Sequence, residues 1–223
     1  MTRTNRWLMV GVGVGWAASA HAVDPTTCEA PYSSKAFVQA MDTAEAQVSE
    51  FEIDAFRETL WSAKDQLLCT FDHVHPNHLT RYGRLMSLAA FFDQDELTSQ
   101  RWAHMAAGAG KAPWPMGMDD THPFRMAVDE MEEPWITGPE NAGVNPPKGG
   151  AILLDGNLMV EAKAAAEVPH LFQVLGKDGV VLDNKWLDGP SFPAQLLKLG
   201  TEPPPTPKWY TAPDPDLDPM APV

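Results

Sequence analysis

The sequence predicts an α+β chain: antiparallel α-hairpins first, then a small antiparallel β-domain, then a disordered proline-rich tail. Three observations predict it. Between Ser34 and Ala109 the apolar residues recur at steps of three and four, the spacing of one helical face. From Ala151 to Leu182 they gather in short runs broken by Asp155–Gly156 and Asp178–Gly179, the pattern of strands joined by tight turns. Beyond Thr201 proline and aspartate dominate, and such a segment cannot bury a core of its own. The expected units are an export signal over 1–22, a helical repeat-like domain over 23–111, and a proline-rich linker with one short helix over 112–148. A β-domain over 149–200 and the tail over 201–223 complete the division.

The first unit has the three-part order of a cleavable secretory signal. Arg3 and Arg6 make a positive start, an apolar glycine-rich run extends from Trp7 to Trp16, and Ala20 and Ala22 place small residues where signal peptidase reads. The apolar run is too short to span a bilayer core of roughly 30 Å. The expected destination is the periplasm, the cell surface or the medium. The whole chain has 16 basic and 30 acidic side chains, a formal charge of −14. Loss of residues 1–22 removes two arginines and makes the mature chain more acidic still. That charge repels phosphate, which disfavours nucleic acid as a partner. No later apolar stretch approaches the length of a transmembrane helix.

The helical elements follow from the stripes. Phe37, Ala40, Met41, Ala44 and Val48 lie on one face of a first helix that Ser33 or Ser34 can cap. Ile53, Phe56, Leu60, Ala63 and Leu67 mark a second, and the short connection between them makes an antiparallel hairpin. Cys28 precedes the first helix and Cys69 ends the second, so the hairpin brings them together. Export licenses a disulfide between them. Pro76 and Asn77 open a third helix through Leu79, Tyr82, Leu85, Leu88, Ala89 and Phe92. Asp95 caps a fourth, which Gly108, Gly110 and Pro113 stop.

Counted back from Pro113, residues Leu85, Leu88, Ala89, Phe92, Met105 and Gly108 fall where a tetratricopeptide repeat has large, large, small, aromatic, large and small residues. Residues 82–115 thus resemble one such repeat, with Arg101 standing where the repeat has alanine. The alternative is an unrelated pair of α-hairpins. The resemblance implies a helical scaffold that binds peptide or protein on a concave face.

Residues 112–149 hold seven prolines and read as a linker or wrapping segment. His122–Met131 is its one helical stretch. Trp114 and Trp135 are expected to pack it onto its neighbours, and Trp102 and Trp186 to be core residues. In the β-domain, Ala151–Leu154 and His170–Leu175 are strands, and Val180–Leu182 pairs with the second across a turn at Lys177–Gly179. Gly149–Gly150, Leu153–Gly156, Val168–His170 and Phe172–Val174 together resemble the small β-sandwich domains of the PEGA type. That likeness implies a surface-associated, non-catalytic module.

One cluster bears on metal chemistry. His73, His75 and His78, with Asn77, have the spacing of the His-x-His-x-Asp-His signature of the metallo-β-lactamase superfamily. The likeness implies that these imidazoles bind zinc and activate water for hydrolysis. Asn77 replaces the aspartate, and an amphipathic helix precedes the cluster where the signature follows a buried strand. A helix-entry loop that happens to carry three histidines is the competing account. Asp214, Asp216 and Asp218 alternate as at the start of a calcium loop, without the glycine and glutamate that would complete one. The chain has no Gly-x-Ser-x-Gly elbow, no His-Glu-x-x-His and no phosphate-binding loop.

The favoured expectation is an exported, non-enzymatic scaffold whose helical half binds a protein or peptide, with neither catalytic residues nor cofactor assigned. A zinc hydrolase built on His73, His75 and His78 and a carbohydrate-binding module built on Trp186 are the alternatives.

Overall fold

A computed structural model describes residues 28, 30–115, 117–140, 142–197 and 204–212. The expected export signal and the three alternate aspartates lie outside the described residues. The architecture is α+β, with four helices in two antiparallel hairpins followed by antiparallel sheet.

Helices α1 (Ser34–Ser49) and α2 (Ile53–Leu67) form the first hairpin, and α3 (Pro76–Phe92) and α4 (Glu96–Ala109) the second. Their starts are set by side chains. Ser33 Oγ accepts the Ala36 amide at 3.1 Å, and Asp95 Oδ1 accepts that of Thr98 at 3.1 Å. These satisfy donors that the first turn of a helix leaves open. The Cys28–Cys69 disulfide joins the open end of the first hairpin. Beside it Tyr32 N–H donates to Cys69 O at 3.1 Å, and Asp72 accepts from both the amide and the hydroxyl of Ser34.

The third helix is the hub, because α1, α2 and α4 all pack on it. Gly83 lets α4 approach: a Cβ there would stand 2.9 Å from Ala106 Cβ and 3.0 Å from Trp102 O. One turn on, Ser87 and Ser99 bond each other reciprocally in a buried site. Close approach between α3 and α4 therefore runs through Gly83, Ser87, Ser99 and Ala106. Arg101, at the small-residue position of the tetratricopeptide pattern, points outward to Glu167. Arg81 on α3 is buried and held by Asp42 (2.8 Å) and Glu45 (2.6 Å) of α1.

The sheet has the order β3-β2-β5-β6, formed by β2 (Ala151–Leu154), β3 (Asn157–Leu158), β5 (Pro169–Leu175) and β6 (Val181–Asp188), all antiparallel. A separate two-residue ladder pairs β1 (Ile136–Thr137) with β4 (Ala164–Ala165). The last strand runs well past the expected Leu182, because Asp183–Asp188 continues the pairing with β5.

Side chains on successive strand residues point to opposite faces. Leu171 and Trp186, cross-strand partners, join the helical core, as do Ala165 and Val168. Ile152, Phe172 and Leu187 face the other way. There Val144, Met159, Ala162, Phe192 and Leu196, from irregular segments, cover them. The sheet is thus a middle layer between helices and coil. The helices close one face of the four-stranded sheet, and mostly irregular chain, with Ala164 of the two-residue ladder, closes the other.

A shared core and directed bonds join the helices to the sheet. Asn184 Nδ2 donates to Thr70 O (2.7 Å), Gln173 Oε1 accepts the Val74 amide (3.1 Å), and Asn157 Nδ2 donates to Ala109 O at the end of α4 (2.6 Å). The Asp155–Gly156 turn sits on the loop before α3. Gly156, at φ +77°, has no room for a side chain there, since a Cβ would lie 2.5 Å from Val74 O. Part of the tail is also placed. Tyr210 Oη accepts the Leu158 amide at 3.2 Å, and Trp209 lies against the turn at Gly179. Proline-rich chain does not build a core, but two of its aromatics dock on one already built.

Candidate functional site

The structure places His73, His75 and His78 at the entry to α3 without gathering them into one three-ligand set. Residues 73–75 form the loop that leads into α3, and His75 at its end is extended. Val74 is buried beneath the sheet, and His73 and His75 flank it. The His73 ring lies 5.9 Å from that of Trp209. His75 caps α3, its Nδ1 accepting the Asn77 amide at 3.2 Å. His78, one turn into α3, adjoins His75 with ring centroids 5.6 Å apart. Among the described residues no group of three or more His, Cys, Asp or Glu side chains is arranged to hold a metal ion. Pro76 occupies the first helical position, and His75 before it is the N-cap. Burial, reinforced by His75 and Arg81, lowers the His78 pKa from 6.5 to about 4 against an opposing pull from Asp42.

Trp186 is not a free platform either. Its indole N–H donates to Lys64 O at 3.1 Å, and its ring meets Trp102 edge-on at 5.5 Å and Tyr82 at a tilt at 6.3 Å between centroids. It joins the sheet to the helices, as a core tryptophan should.

A second buried titratable pair was not visible in the sequence. Asp155, at φ +51° in the β2–β3 turn, bonds His170 Nδ1 at 2.5 Å with one carboxylate oxygen and accepts the Leu171 amide at 2.8 Å with the other. Burial works against the charged imidazole, but the Asp155 bond and charge and the Ala165 carbonyl outweigh it, so the His170 pKa is raised. No serine, threonine or cysteine lines the adjoining cavity. The pair ties the turn to β5.

A wide concavity lies elsewhere, between the tips of α3 and α4 and the short helix α5 (Pro123–Asp129). The α5 helix starts as proline-led helices do, with Pro123 first and His122 Nδ1 accepting the Phe124 amide at 3.3 Å. Phe124 is its anchor. Buried, it meets Phe91 at 5.3 Å and Trp114 at 6.0 Å between ring centroids. Arg84 covers the Trp114 face at 4.3 Å, so this tryptophan packs the linker down as expected. The returning chain leaves a groove of about 860 Å³. Its apolar lining includes Phe91, Phe92, Phe124, Val128 and Met131, and Gln94, Glu96 and Glu130 stand on its rim. Phe91 is 43% exposed and Phe92 40% exposed, much for phenylalanines beside a packed core. Phe92 belongs to the stripe that marks α3 in the sequence. In the last turn of α3 its ring meets only the edge of Phe56 on α2, with centroids 6.4 Å apart, and the rest of it stays open.

The chain matches no protein-family model, no curated protein and no solved structure. Among the described residues no helix is long and apolar enough to cross a membrane.

Proposed function

We propose that this chain is an exported, non-enzymatic binding protein that takes an amphipathic peptide segment of a partner into the groove between α3, α4 and α5. The observation that carries this reading is the groove itself: a wide apolar floor with exposed phenylalanines, edged by Glu96 and Glu130. A large exposed apolar patch within a polar rim is the mark of a protein contact. Aromatic anchors in a concave site supply most of the energy of such contacts. The acidic rim and the charge of −14 favour a segment whose apolar residues are flanked by lysine or arginine. The helix-in-groove mode, with anchors at i, i+3, i+4 and i+7, suits a trough walled by helix ends.

Isothermal titration tests this with a leucine-rich amphipathic peptide flanked by lysines, and with the same peptide flanked by glutamates. The lysine peptide binds and the glutamate peptide binds at least about tenfold more weakly, which is the discrimination a rim of like charge produces. Phe91→Asp removes binding while leaving the thermal transition in place, since the ring is half exposed. Equal affinity for both peptides, or binding indifferent to Phe91→Asp, overturns the reading.

A further inference from the structure

A second concavity, of about 670 Å³, opens where the helical layer meets the sheet. Its walls carry Trp61 and Lys64 of α2, Arg101 of α4, Trp135 before β1, Glu167 in the β4–β5 turn and Asp188 at the end of β6. The two outer tryptophans are the most accessible in the core-bearing part of the chain. Trp61 is 49% exposed and Trp135 78% exposed, although Trp135 is expected from the sequence to pack the linker down. Behind them Lys64 Nζ sits 5.1 Å from the Trp61 ring, 5.7 Å from that of Trp102 and 5.8 Å from that of Trp186. The lysine is thereby fixed as a donor at the floor. Arg101 reaches Glu167 at 3.5 Å, and its buried Nε has no hydrogen-bond acceptor among the described residues. Glu167 holds φ +57°, a left-handed conformation that costs a glutamate energy. Such backbone strain persists where the surrounding structure holds the turn in place, here at the mouth of a cleft.

We infer that this cleft is a binding site for a neutral oligosaccharide, with Trp61 and Trp135 as stacking platforms. The apolar C–H face of a pyranose is attracted to the electron-rich face of an indole. Its hydroxyls both donate and accept, and the cleft offers both kinds of partner. Lys64 and Arg101 donate, and Glu167 and Asp188 accept. Two cations balance two anions here, so the cleft itself does not select a charged ligand. The surrounding chain, at −14, repels an acidic glycan. A peptide of the kind the other groove takes would find no acidic rim and no apolar floor free of charge.

The test is titration of the purified exported chain, by tryptophan fluorescence and calorimetry, with cellotetraose, mannotetraose, maltotetraose, chitotetraose and tetragalacturonate. At least one neutral tetrasaccharide binds, and tetragalacturonate binds more weakly than it. Trp61→Ala and Trp135→Ala each weaken that binding by about tenfold or more, the effect of removing an aromatic anchor. Because Trp135 is so exposed, its variant keeps the parent melting temperature, and Phe91→Asp leaves sugar affinity unchanged. The inference is overturned if no neutral member binds, if tetragalacturonate binds best, or if the neutral sugar binds Trp135→Ala as well as the parent.

Discussion

Replacing Cys28 and Cys69 together by serine separates two contributions that meet at the mouth of the first hairpin. The bridge spans 41 residues of sequence. In the chain-entropy treatment, cross-linking a loop of that length removes about 13 cal/mol/K from the unfolded ensemble, or about 4 kcal/mol at 25 °C. The native geometry at the bridge does not depend on it alone. Tyr32 pairs with Thr70 in a short parallel bridge, and Asp72 holds both the amide and the hydroxyl of Ser34. The double variant is therefore expected to fold to the same structure with about 4 kcal/mol less stability. In urea, with a slope of about 2 kcal/mol/M for a chain of this size, the midpoint falls by about 2 M and the slope rises as the unfolded chain expands. Reduction of the parent protein gives the same midpoint as the variant. A fall of less than about 0.5 M would show that the bridge adds nothing to a segment already held by its hydrogen bonds, and would refute the reasoning.

Two further outcomes follow from the buried titratable groups. Asp155→Ala leaves His170 without its carboxylate and the Leu171 amide without its acceptor, and is expected to cost about 3 kcal/mol in urea unfolding; Asp155→Asn, which tolerates the left-handed turn and keeps an acceptor, costs clearly less. His78 has a folded pKa of about 4 against 6.5 unfolded, so the unfolded chain binds the extra proton and stability falls as pH drops from about 6.5 toward 4. Allowing for the part of the ring left in solvent, the loss is about 2 kcal/mol. It is read as the difference in the stability–pH curve between the parent and His78→Gln, and a parallel pair of curves over that window refutes it.

The helices were legible because each carries its own evidence. An apolar stripe, a capping Ser33 or Asp95 and a proline-led start at Pro76 are local, and the disulfide follows from hairpin geometry plus two half-cystines at one end. The Asp155–Gly156 turn was legible for the same reason. What escaped are matters of partnership. Nothing local tells that Gln173 and Asn184, polar residues within strands, will be buried to bond the loop before α3, or that β6 will continue to Asp188. The ladders of β1 with β4 and of β2 with β3 are two residues deep and leave no period to detect. The candidate sites are harder still. The histidine motif drew attention by its residue types, yet the capping role of His75 and the turn of α3 that carries His78 give its members separate local roles. The groove exists because α5 folds back over the tip of α3, and Phe124 reads in sequence as one apolar residue of a short helix. Trp135 and Trp114 sit in the same proline-rich segment, and only the tertiary fold makes one an anchor and leaves the other in solvent.

The claim that the α3–α4–α5 groove receives a basic amphipathic segment is met most directly by titrating the lysine-flanked leucine peptide into the ¹⁵N-labelled protein and following amide shifts. The account predicts saturable shifts concentrated at Phe91–Gln100 and at Phe124–Met131, with the sheet residues of β5 and β6 unmoved. Shifts that centre on any other surface, or spectra unchanged at peptide concentrations well above that of the protein, would contradict it.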